Sequence, residues 1–139
     1  AEAQHEGIDY INNDRDATDV PIYTIGSGTV VYARTGCVSS SQFASNTLQR
    51  ECGAGWGNHL VIQHSRSVFS RYAHLRTDGV LKAVGEQVEK NEIIGIMGNS
   101  GRSDMRHLHL EIGKSVTPFR SCASSQSFES VTDPGRFGL

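Results

Sequence analysis

Short alternating runs, rather than long helical stripes, carry the apolar residues of this chain. The runs are "TIGSGTVVYA" (24–33), "NHLVIQH" (58–64), "SVFSRYAHL" (67–75), "EIIGIMG" (92–98) and "HLHLEIG" (107–113). Each is rich in Val, Ile, Tyr, Leu or Phe and bounded by Gly, Ser or Asn, which predicts strands. "PIYTI" after Val20 predicts one more short strand. The stretch 78–91 has some amphipathic character. Its Gly79 and Gly85, with Val80, Val84 and Val88, favour turns and short strands over a helix. The expected fold class is mainly β, an antiparallel sheet with long surface loops. The Ser-rich tail from Thr117 to Leu139 is expected to be irregular, packing back through Phe119, Phe128 and Phe137. With no internal repeat and no linker, residues 1–139 read as a single domain.

The last run poses a chemical question. A strand alternates its side chains, so His107 and His109 leave one face, roughly 7 Å apart, while Leu108 and Leu110 point to the core. Two imidazoles on one face can share a metal, share a proton, or do neither.

Length and charge narrow the possibilities. A chain of 139 residues can bury a core unaided. Its net charge of −2 and the lack of any block of like charge argue against a nucleic-acid partner. No apolar run approaches the length of a membrane span. The chain starts with Ala, and its first candidate ligand, His5, lies almost at the terminus. An upstream segment, inhibitory or anchoring, is therefore expected to have been removed by processing or by design, and the domain is expected to be a monomer. Cys37 and Cys52 bracket a polar segment with no CxxC or finger spacing. Paired, they would pin a loop for about 3 kcal/mol and suit a secreted or periplasmic protein. Unpaired, with Cys122, they would be three free thiols of a cytosolic one. In either case Cys122 has no assigned partner.

The candidate metal groups are His5 and Asp9 in "HEGID", His74 in "YAHL", and His107 and His109. His59 and His64 are left over and are read as structural. On an extended strand His5 and Asp9 would lie roughly 13 Å apart, so they can share an ion only if the chain bends between them. Gly7 makes that bend cheap. Two imidazoles and a carboxylate with a fourth position open to water form a hydrolytic zinc arrangement.

Taken in order, "HEGIDY", "VPIYTIGSGTVVYA", "GWGNHLVIQHSRSVFSRYAHL", "VGEQVEKNEIIGIMGNSGRS" and "HLHLEI" resemble the lysostaphin/LytM family of zinc metallopeptidases, over roughly residues 5 to 113. The resemblance implies an antiparallel sheet whose active-site groove is walled by long loops. It implies one Zn2+ held by His5, Asp9 and His109, with His74 and His107 as non-ligand catalytic histidines. The implied reaction is hydrolysis of peptide cross-links in bacterial peptidoglycan by a metal-activated water, outside the cytoplasm: periplasmic, secreted or at the cell envelope. The alternative is a catalytically silent cell-wall binding module or activator scaffold of the same fold; retention of all five residues disfavours it. The base and stabiliser roles of the two histidines, and the choice between glycine bridges and D-amino-acid cross-links, stay open.

Three departures from the family stand out. Met105 and Arg106 replace the usual Gly-Pro before HLH, and Arg106 reads either as a partner for a substrate carboxylate or as an exposed loop residue. The segment 36–55 is longer than the compact family version and is expected to wall the groove. Trp56 stands where Tyr is common, either to pack on substrate or to hold a turn. Glu111, on the same face as His107 and His109, is a candidate to orient His109.

Overall fold

A computed structural model describes residues 7–14, 16–115, 128 and 130–132 of the chain. The strands are β1 (Ile8–Tyr10), β2 (Pro21–Tyr23), β3 (Gly28–Arg34), β4 (Asn58–Gln63), β5 (Val68–Val80), β6 (Gln87–Val88), β7 (Ile93–Met97), β8 (Leu108–Lys114) and β9 (Ser130–Thr132). All pairings are antiparallel. The main path runs β1-β8-β5-β4-β3-β6, while β7 joins β5 to β2 and β9 adds to β8. The fold is mainly β, as the alternation predicts.

Two boundaries differ from the sequence reading. Strand β5 does not stop near Leu75 but continues to Val80, because a register shift between Leu75 and Val80 lets its second half pair with β7. The tail is not wholly irregular: β9 pairs Ile112 with Thr132 and Lys114 with Ser130. Phe128 is buried and stacks on Phe69, centroids 6.0 Å apart. Phe119 and Phe137 lie outside the described residues.

The alternation sorts residues onto two faces. One face packs the main core of Val20, Ile22, Val30, Leu60, Ile62, Tyr72, Leu75, Ile94, Met97, Leu108 and Leu110. Burying such side chains contributes roughly 1.5–3 kcal/mol each. At the far end of the opposite face Tyr32, Val61, Phe69 and Phe128 form a smaller cluster. The near end of that face, beside β1, is left for chemistry.

Candidate active site and metal centre

Backbone register builds the floor of the site. Asp9 of β1 pairs directly with His109 of β8, and His109 pairs in turn with Ala73 of β5. Directly opposed residues share a face, so Asp9 and His109 emerge side by side. His109 Nδ1 stands 2.8 Å from Asp9 Oδ1. Gly7, just before β1, has φ +104, and a Cβ there would strike the Leu110 carbonyl. Gly7 thus takes a backbone conformation and a close approach that favour glycine. His107 joins the floor from just outside β8 through an isolated bridge to Gly98. Its Nε2 lies 3.7 Å from Asp9 Oδ1.

His74 arrives by a different device. Tyr72 packs in the main core, so strict alternation would send His74 to the core as well. Instead the β4–β5 register shifts between Asn58 and Leu60, and His74 takes φ +59, a left-handed conformation that costs a non-glycine residue energy. This irregularity re-aims one side chain, and Leu75 returns to the core. The His74 ring ends 4.8 Å from that of His107 and 6.0 Å from that of His109, centroid to centroid.

The hydrogen bonds fix how the rings are presented. His74 Nδ1 donates to the Ser100 carbonyl at 2.7 Å, and His107 Nδ1 donates to the Met105 carbonyl at 2.7 Å. A carbonyl only accepts, so in each neutral ring Nε2 keeps its lone pair. Burial, and then the neighbouring His107, push the pKa of His74 down to about 4. That ring is neutral at neutral pH. For His109, burial acts to lower the pKa, but hydrogen bonds to Glu111 and Asp9 outweigh it and the net shift is upward.

Behind His109 lies a polar layer. Its Nε2 faces Glu111 Oε1 at 2.9 Å, and Trp56 Nε1 donates to the same oxygen at 3.0 Å. Arg71 lies 3.5 Å from Glu111 Oε2, with its guanidinium 3.5 Å over the Trp56 ring. His59 and His64 hold structure. His59 is fully buried, stacks on Tyr32 and bonds the Gly57 carbonyl. Burial, and then Arg71, lower its pKa to about 3. His64 links the Ser27 carbonyl to Ser70.

The wall is loop. A disulfide joins Cys37 to Cys52 and closes the segment between them. Asn58 donates to the carbonyls of Cys37 and Leu75 and accepts from the Cys37 amide. Asn46 donates to the Leu48 and Gly101 carbonyls. A 3-10 turn, Cys52–Gly55, follows, with Gly53 and Ala54 at φ +62 and +58. The pocket lined by Asp9, Ala54, Gly55, Trp56, His74, Arg102, His107 and His109 measures about 440 Å3. A second, of about 270 Å3, shares Asp9, Arg102 and His107 and reaches to Ile11, Asp104 and Met105. The shared residues make one groove of the two.

Arg106 meets neither sequence expectation. It is fully buried and lines neither pocket; Nη2 donates to the Asp14 carbonyl, and the guanidinium lies 5.0 Å over Phe43. It braces two loops. Trp56 lines the pocket and donates to Glu111, a partner the sequence did not suggest.

Of the five predicted site residues, Asp9, His74, His107 and His109 converge, and His5 lies outside the described residues. Among the described residues no three His, Cys, Asp or Glu side chains form a ready metal cluster. The donor chemistry nevertheless fits a small divalent cation. The Asp9 carboxylate faces His109 Nδ1, and a buried carboxylate stands ready for the N–H on the ring's other nitrogen. The Trp56 and Arg71 partners of Glu111 were not anticipated from the sequence. The pairing of Arg71 opposite Glu111 follows only from register.

Comparison with known proteins gives a consistent picture. The model of peptidase family M23 matches residues 3–121. Peptidoglycan DD-endopeptidase ShyA of Vibrio cholerae is 33% identical over 110 residues, 79% of this chain and 20% of ShyA, so the chain spans about a fifth of that relative's length. A solved zinc containing peptidase from Vibrio cholerae aligns at 28% identity with a TM-score of 0.59, over 82% of this chain and 28% of that one. The catalytic domain of lysostaphin from Staphylococcus simulans aligns with a TM-score of 0.62 at 22% identity, over 94% of this chain and 76% of that one. The last is a likeness of fold.

Proposed function

The chain belongs to peptidase family M23, and on that premise we propose that it is a zinc-dependent endopeptidase hydrolysing peptide cross-links of bacterial peptidoglycan outside the cytoplasm. The observation that carries the reading is the convergence of His74, His107, His109 and Asp9 around one groove, the two non-ligand rings each held by Nδ1 on a backbone carbonyl. The identity to ShyA supports peptidoglycan as substrate, and the Cys37–Cys52 disulfide suits an oxidising compartment.

His5, Asp9 and His109 are the proposed ligands, and the likeness to a zinc containing peptidase supports zinc as the metal. When bound, zinc would acidify a water and polarise a carbonyl. The chain's own residues do the rest. His74 and His107 present Nε2 to the groove, where one accepts the proton of the attacking water and passes it to the departing amine, and the other, once protonated from solvent, donates to the developing oxyanion. The carbonyls of Ser100 and Met105 keep the two rings oriented. Trp56, Ala54 and Gly55 on one side, with Ile11 and Met105 at the far end, bound the bed for an extended peptide.

The test is incubation with purified peptidoglycans, one cross-linked through glycine bridges and one through D-amino acids, with mass spectrometry of released fragments and elemental analysis of the protein. New cross-link fragments from either, with one zinc per chain, are expected. Bound zinc with no fragments from either would replace the reading with a silent cell-wall binding scaffold. No stoichiometric zinc would remove the metallopeptidase reading.

A further inference from the structure

We propose that Glu111 is the positioning residue of this site: its buried carboxylate takes the N–H of His109 Nε2 and so leaves the Nδ1 lone pair for the metal that Asp9 shares. The inference rests on the metal reading above but concerns residues outside the ligand set.

Two ring nitrogens converge on one oxygen. Glu111 Oε1 lies 2.9 Å from His109 Nε2 and 3.0 Å from Trp56 Nε1, so it is addressed by two ring nitrogens at once. Rotating the carboxylate would break both contacts. The other oxygen, Oε2, faces Arg71 at 3.5 Å. Glu111 is 1% exposed and Arg71 0%. A buried carboxylate is costly unless it is paired and hydrogen-bonded. A salt bridge alone would account for Arg71 and Oε2. It would not account for Oε1, which is aimed at the ring nitrogen of a proposed ligand.

The chemistry follows from the imidazole. A neutral ring carries one N–H, and two carboxylates compete for it here. If Asp9 takes the proton at Nδ1, the pair becomes an ordinary hydrogen bond and the lone pair is lost to a cation. If Glu111 takes it at Nε2, Nδ1 and Asp9 face each other as two donors to one ion. Trp56 carries this arrangement to the substrate side, because it also lines the groove. Arg71 holds it from beneath by stacking on Trp56.

The test uses the whole chain and two readouts independent of peptidase activity. Zinc affinity is measured by competition with a chromophoric chelator, and the His109 ring nitrogens are followed by 15N NMR in metal-free and zinc-loaded protein. Glu111→Gln keeps the shape and removes the charge; zinc binding about 10- to 100-fold weaker is expected. Trp56→Phe removes one contact to Oε1 without unpairing the buried charge, and should weaken binding in the same direction by less. In wild type a slowly exchanging proton on Nε2 is expected with and without metal. Folded Glu111→Gln protein with zinc affinity within about twofold of wild type would overturn the proposal, a twofold change being only about 0.4 kcal/mol against the 1.4 kcal/mol of a tenfold one. So would an unprotonated Nε2 in wild type. If Glu111→Gln does not fold, Trp56→Phe and the wild-type spectrum decide. A wild type that binds no zinc would sink the metallopeptidase reading, while the Nε2 proton in metal-free protein would still judge Glu111.

Discussion

On the floor of the groove, Asp9, His109 and Ala73 sit abreast because three strands fix them in backbone register. On its wall, Ala54, Gly55 and Trp56 sit where a disulfide and a set of buried side-chain amides hold a segment with no strand pairing of its own. The floor is redundant: its hydrogen-bond ladder does not depend on which side chains project from it. The wall is not, because its conformation rests on particular residues. Changes to floor side chains should therefore remove chemistry and spare the fold, whereas changes to the wall's supports should cost stability first.

The largest effect tests the floor. His107→Ala should lower turnover on peptidoglycan by about 10²–10⁴-fold, the usual contribution of general acid–base catalysis. Melting temperature and zinc content should stay near wild type, because the His107 side chain is outside the β8 ladder. Full turnover in a zinc-loaded variant would remove His107 from the chemistry. Replacing both Cys37 and Cys52 with Ser tests the wall. Releasing a loop with a sequence separation of 15 residues should cost about 3 kcal/mol in urea unfolding. A loss below about 1 kcal/mol would mean that Asn46 and Asn58, at roughly 1 kcal/mol per hydrogen bond, hold the wall without the covalent link.

The same division explains what the sequence made legible. Alternation in "HLHLEIG" placed His109 on the site face and Leu108 and Leu110 in the core, because β8 is regular there. Asp9 was a candidate in "HEGID", and the resemblance to a known family gave it its role. His74 was not readable from periodicity at all. A bulge and a positive φ override alternation at that residue, and only the resemblance of "YAHL" to a known family pointed to it. Arg106 was misread because no local pattern separates a buried brace from an exposed loop arginine; its partners, Asp14 and Phe43, are 92 and 63 positions away. The Glu111–Arg71 pairing was invisible for the same reason, since it depends on the register between β5 and β8.

An intermediate effect sharpens the comparison at the seam between floor and wall. His59 lies in β4 beneath the 3-10 turn, fully buried, with its pKa lowered from 6.5 to about 3. The folded state holds it neutral, whereas the unfolded chain protonates it near its ordinary value. Its contribution is therefore fully present above about pH 6.5 and is lost as pH falls towards about 3, by up to about 1.4 kcal/mol per pH unit. His59→Phe keeps a ring against Tyr32 and cannot titrate. Urea unfolding at pH 7 and pH 5 should show wild type losing about 2 kcal/mol more than the variant over that interval. Equal losses would mean that His59 is not held neutral by the fold.

The smallest expected effect on stability falls on an exposed residue of the wall. Arg102 lines both parts of the groove and pairs with Glu51, joining the 3-10 turn to the loop before β8. This pairing lowers the pKa of Glu51, yet both side chains are largely exposed, at 58% and 72%. Exposed pairs are screened by salt and lose side-chain entropy on forming. Arg102→Ala should therefore leave the melting temperature unmoved, unlike the loss of the disulfide. Its place in the groove predicts a separate consequence: KM for peptidoglycan fragments should rise several-fold with kcat unchanged, the pattern of lost uniform binding. High salt should shrink the difference between variant and wild type, because it already weakens what Arg102 offers to a charged peptide. A fall in melting temperature comparable to that of the disulfide variant would show the pair to be part of the wall's support. An unchanged KM would confine substrate contacts to the floor and Trp56.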